Sequence, residues 1–154
     1  MKKITGLTAI ILVSFGLSSS LLGQSCEKFY KKGDCAMDLQ KDYKIYSQSN
    51  SAPISLQDTI EFNVVFYGQK DYIFTFCADK KLYPVNYRLI DPDTGEILYN
   101  NADDRYIESL GIGFDITRGL TIQINVLGKM SDPKELQGYT GCVGALFQYK
   151  NYEH

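Results

Sequence analysis

The sequence predicts an all-β fold: an antiparallel β-sandwich of jelly-roll type with about seven or eight strands, stapled by disulfides. Three observations predict it. Short runs alternate apolar and polar residues with a period of two, turn residues separate those runs, and no stretch keeps a helical period.

Residues 59–67 set Ile60, Phe62, Val64 and Phe66 on one face against Glu61, Asn63 and Val65 on the other, the pattern of a half-buried strand. Gly68-Gln69-Lys70-Asp71 supplies turn residues and 72–77 resumes the strand signal, so the two runs are expected to pair as a hairpin. Both faces of the second run are apolar, which predicts an interior place in its sheet. Residues 84–91 alternate Val85, Tyr87 and Leu89 with Asn86 and Arg88, and Asp91-Pro92-Asp93-Thr94-Gly95 then puts Pro and Gly where a tight turn wants them. Residues 96–99 return as a short strand, and 106–116 hold another, with a bulge expected at Gly111 or Gly113. Residues 121–127 turn Ile122, Ile124 and Val126 inward, and 141–149 close the set, Gly144 and Ala145 being small enough for close sheet packing. Asp132 is expected to cap one helical turn that begins at Pro133.

The chain opens with Lys2 and Lys3, a short apolar run and the small residues Ser18, Ser19 and Ser20, which reads as a signal peptide over 1–23. The apolar run is too short and too interrupted for a membrane span, so an integral membrane protein is not expected. Cleavage before Gln24 or before Cys26 suits the small residues, and the second cut would offer Cys26 for lipidation. Export to the periplasm, the cell surface or the medium follows. Beyond the signal the sequence divides into an N-terminal arm over 24–55, with 43–47 as an edge strand, a sandwich domain over 56–150 and a tail over 151–154. Loss of Lys2 and Lys3 takes the net charge from −2 to −4, which argues against nucleic acid as a partner.

Four cysteines, Cys26, Cys35, Cys77 and Cys142, lie in the exported part, where an even set pairs. Three connectivities exist. A local Cys26–Cys35 bridge in the arm with Cys77–Cys142 across the sandwich is the expected one. Zinc is not expected, because no CxxC spacing occurs and the single histidine is His154.

Several of these segments, among them Gly68-Gln69-Lys70-Asp71-Tyr72-Ile73-Phe74-Thr75-Phe76, Val85-Asn86-Tyr87-Arg88-Leu89-Ile90-Asp91, Gly95-Glu96-Ile97-Leu98-Tyr99 and Leu120-Thr121-Ile122-Gln123-Ile124-Asn125-Val126, resemble bacterial pre-peptidase C-terminal domains. Those domains are secreted β-sandwiches similar to GOLD domains. The strand cysteine Cys77 and Gly141-Cys142-Val143 are also similar to features of small exported proteins of Bacteroidota. The resemblance covers about half of the exported chain and implies fold and export. A longer loop over 130–139 departs from it.

Catalytic residues are not expected, since a nucleophile would lack a histidine base. The carboxylates Asp91, Asp93, Glu96, Asp103, Asp104 and Glu108 leave a hydrolase as a third reading. Asp91 and Asp93, with Asp103 and Asp104 in a second loop, form an oxygen-rich set that calcium accepts, although tight turns need the same residues; no other cofactor is expected. Tyr67, Tyr72, Tyr87 and Tyr99 are expected to pack in the sheets, whereas Tyr83, Tyr106 and Tyr139 flank loops and are the candidate partner contacts. These observations point to a non-catalytic envelope module that contacts a protein or glycan. The alternative is an accessory subunit of a surface assembly.

Overall fold

The structure, a computed structural model, describes residues 25–129 and 131–152. The expected signal peptide and the last two residues lie outside the described residues. The described residues form the antiparallel sandwich that the period-two pattern predicts, with nine strands among them: β1 (Lys44–Ile45), β2 (Asn50–Ser55), β3 (Thr59–Phe66), β4 (Lys70–Ala78), β5 (Val85–Ile90), β6 (Ile97–Asn100), β7 (Ser109–Phe114), β8 (Arg118–Val126) and β9 (Thr140–Asn151). Two short helices, α1 (Gly33–Met37) and α2 (Pro133–Leu136), complete it, and Asp132 caps α2 by accepting the Lys134 amide at 2.9 Å.

The strands pair as one long hairpin rolled over on itself. β2 pairs β9, β3 pairs β8, β4 pairs β7 and β5 pairs β6, which generates one sheet in the order β2-β9-β4-β7, with β1 also on β9, and a second in the order β3-β8-β5-β6. This is jelly-roll topology. It corrects the expected 59–77 hairpin, because β3 and β4 belong to different sheets and Gly68 carries the chain across. A Cβ at Gly68 would lie 2.7 Å from the Asp115 carbonyl oxygen, so only glycine lets the two crossing loops touch. The register of β4 with β7 runs unbroken from Lys70↔Phe114 to Thr75↔Ser109, so the bulge expected at Gly111 or Gly113 is absent. The sheet instead shifts register at Leu89/Ile90.

The core is aromatic. Phe66, Phe74, Phe76, Tyr87 and Phe147 are fully buried; Phe66 stacks on Phe74 at 4.6 Å between centroids and Phe76 on Tyr87 at 3.9 Å. Each such ring contributes about 1.5–3 kcal/mol of burial. Tyr72 packs as expected, but Tyr67 is 52% exposed, its ring meeting Tyr46 edge-on.

Even-numbered residues of β4 and odd-numbered residues of β9 face this core, so Cys77, Cys142, Leu146 and Gln148 point to the opposite face of the sheet. That face is covered by the arm, and both disulfides hold it there: Cys26 is bonded to Cys142 and Cys35 to Cys77. The expected Cys26–Cys35 and Cys77–Cys142 pairing is therefore wrong. Cys77 lies opposite Gly144, two residues from Cys142, and such diagonal neighbours sit about 7–8 Å apart, beyond disulfide reach. The Cys26 sulfur, consumed by Cys142, is not available for acylation, which removes lipidation at Cys26.

Gly144 admits the arm rather than tightening sheet packing. A Cβ there would stand 2.9 Å from Tyr30 Cα and 3.1 Å from Cys77 Sγ. Buried Gln148 is satisfied from the arm, accepting the Gln40 amide at 2.8 Å and donating to the Asp38 carbonyl at 2.9 Å.

Candidate functional site

Where the arm meets the edge of the first sheet, α1, the turn Lys80–Leu82, Tyr83 and the residue before β7 border a shallow, open recess of about 610 Å³. Its walls are Asp34, Met37, Asp38, Lys80, Lys81, Tyr83, Glu108 and Ser131. Each wall is fixed. Cys35–Cys77 ties α1 to β4, buried Leu82 anchors the turn, and the Phe76 amide donates to the Glu108 carbonyl at 2.8 Å. The Tyr83 hydroxyl accepts the Ala78 amide at 3.3 Å.

The recess is acidic. Lys81 is drawn away by an ion pair with Glu135 at 3.1 Å and lies 5.5 Å over the Tyr139 ring, which leaves Asp34, Asp38 and Glu108 facing Lys80. Partial desolvation in the recess, then repulsion from Asp34 and Asp38, raises Glu108 above its ordinary value although the residue stays exposed. Tyr83 is pushed up to about 12, by burial first and then by Glu108, Asp34 and Asp38 against the opposing Ala78 bond. A cation entering here would relieve that repulsion. Met37, 75% exposed, adds an adaptable apolar contact at the rim.

Of the three tyrosines read as contacts, the structure brings only Tyr83 into this recess. Tyr106 sits under Lys129, 5.1 Å from its ring, and Tyr139 under Lys81. Asp34, Met37 and Asp38 went unread because they belong to a stretch whose sequence looks like a loose arm. The position of Cys35 among them was the available signal.

Of the four aspartates read as a calcium set, Asp91 and Asp104 have side-chain partners within the protein. Asp91 Oδ2 takes Arg118 at 2.9 Å and its Oδ1 accepts the Asp93 and Thr94 amides at 3.0 Å, a self-contained turn. Arg118 first, then those amides, hold Asp91 down at about 2. Asp104 accepts the Tyr99 hydroxyl at 2.6 Å. Among the described residues no three carboxylate, histidine or cysteine groups gather in metal-binding geometry.

A second recess, about 600 Å³, lies by Lys44, Lys70 and Lys150, and two of these lysines are engaged: Lys70 bonds Asn151 at 2.5 Å and covers Tyr149, and Lys150 covers Tyr43. Among the described residues no helix is long and apolar enough to cross a membrane.

No family model matches the sequence, and no curated protein does. Among solved structures the chain is similar to Aeromonas hydrophila PliG, a periplasmic lysozyme inhibitor of g-type lysozyme, at 10% identity and a TM-score of 0.46, with 73% of this chain and 91% of that chain covered.

Proposed function

We propose that this protein is an exported, non-catalytic binding module whose partner is a protein that presents a cationic side chain to the recess around Tyr83. The observation that carries the reading is that Asp34, Asp38 and Glu108 line one recess beside Tyr83, with walls tied down by the Cys35–Cys77 bond and buried Leu82. Rigidity matters because a preformed site loses little entropy on binding. The chemistry also favours binding over turnover. Two carboxylates that raise a third suit a lysine or arginine, whose charge relieves that repulsion, whereas a neutral sugar leaves it in place.

The test is charge neutralisation. The partner captured from native envelope by the mature chain is identified, then titrated calorimetrically against wild type and the Asp34→Asn, Asp38→Asn, Glu108→Gln triple variant. A loss of affinity of tenfold or more, with a shallower salt dependence, is the expected result. Unchanged affinity, or retention on envelope polysaccharide that ignores the triple change, overturns the reading.

A further inference from the structure

The two sides of the sandwich are not alike. On one side Tyr46 and Gln48 stitch the sheets together: the Tyr46 hydroxyl donates to the Val65 carbonyl of β3, and the Gln48 side chain accepts the Val65 amide at 3.0 Å. On the other side β6 and β7 are both edge strands, and neither pairs with the other. Between them a cleft of about 280 Å³ runs in toward the core, lined by Leu89, Leu98, Tyr99, Leu110, Ile112 and Phe114 among others. Leu98 in its lining is exposed, as are Ile97 of β6 and Ile107 and Ile116, which flank β7 in sequence.

The edge of β7 is unprotected in a specific way. Phe76 donates to Glu108, and hydrogen-bonded pairs alternate along an antiparallel ladder, so Leu110, Ile112 and Phe114 direct their backbone groups at β4. Ser109, Gly111 and Gly113 therefore direct theirs outward. Two of those three carry no side chain, and a Cβ at Gly111 would meet nothing within 4 Å. None of the usual edge guards, a lysine, a proline or a bulge, stands in β7.

Charge selects the occupant. Residues 96–116 hold Glu96, Asp103, Asp104, Glu108 and Asp115 against Arg105, and Arg118, the cation that lines the cleft, is neutralised by Asp91 at 2.9 Å. Glu108 and Asp115 bracket β7, so a second copy laid antiparallel along it would bring acid-capped ends together, which disfavours self-pairing. We infer that β7 accepts an extended segment of a cationic partner as an added strand, with alternate apolar side chains entering the cleft and basic side chains meeting the flanking acids. Glu108 lines the acidic recess and directly precedes β7, so a segment paired along β7 would run on toward that recess. The inference rests on the proposed function for the partner's charge, and on the edge geometry alone for its extended conformation.

The test uses the full mature chain with a synthetic peptide of alternating lysine and valine, followed by amide hydrogen exchange. Expected are protection gained at Ser109, Gly111 and Gly113, tenfold or more, and loss of that gain in a peptide N-methylated at alternate residues or in Leu98→Lys, whose substitution charges an already exposed cleft residue. Peptide signals confined to Tyr83 and Glu108, with Gly111 and Gly113 unchanged, would sink the added strand while leaving the recess reading standing. Equal protection from a glutamate–valine peptide, no protection at millimolar peptide, or a dimer that already protects these amides would each overturn the inference.

Discussion

The side-chain oxygen of Asn101 accepts the backbone amide of Tyr87 at 2.9 Å, and this contact joins the β6–β7 crossing to the centre of the second sheet. The same oxygen accepts Asn86 Nδ2 at 2.9 Å, while Asn101 Nδ2 donates to the carbonyls of Val85 and Ile107, each at 3.0 Å. All four positions of a fully buried amide are used. Asn101→Ala would strand several buried groups, at roughly 1–3 kcal/mol each, so a loss of about 3–5 kcal/mol is expected in denaturant unfolding. A loss under about 1 kcal/mol would contradict this role.

Removal of the Cys35–Cys77 bond by changing both residues to Ala should cost about 4 kcal/mol in the chain-entropy picture for a separation of 42 residues. It should also detach α1, which carries Asp34 and Asp38 close behind it, and so weaken partner binding more than loss of Cys26–Cys142 does. Non-reducing peptide maps must show Cys26–Cys142 and Cys35–Cys77. A Cys77–Cys142 peptide would refute the arrangement of the arm.

Glu108 titrates with a raised pKa in the folded protein. A raised acid gives its full contribution to stability below the ordinary glutamate value and loses it as pH climbs through the raised value. Glu108→Gln cannot ionise, so it should be more stable than wild type at pH 7 and equal to it below about pH 4. The side chain is largely solvated, which limits the gain to about a few tenths of a kcal/mol. Melting curves at the two pH values check the sign; a variant less stable at pH 7 would reverse it.

Tyr87 is fully buried, and its hydroxyl has no hydrogen-bond partner among the described residues. Burial first, then coupling to Tyr99, raises its pKa far beyond the tyrosine range. The Tyr99 hydroxyl couples to it but is directed at Asp104 and does not meet hydrogen-bond geometry with Tyr87. Tyr87→Phe should therefore leave stability unchanged or raise it by up to about 1 kcal/mol. A clear loss would mean that the hydroxyl is bonded after all.

What the sequence determined by itself was local. The period of two fixed which side of each strand meets the core, so Val64, Phe66, Tyr87, Leu89, Ile122 and Val126 are buried as their alternation requires, and the sandwich class follows. Which strands become neighbours was left open, because alternation is the same whether β4 pairs β3 or β7; only the rolled arrangement, with Gly68 crossing between sheets, chooses. The cysteines show the same division. Their number and location foretell two bridges, but the pairing depends on the arm lying across the outer face of β4 and β9, a contact between residues 42 and 116 positions apart. The recess belongs wholly to the tertiary structure, since Asp34, Asp38, Tyr83 and Glu108 share no motif and meet because a disulfide and a strand register carry them together.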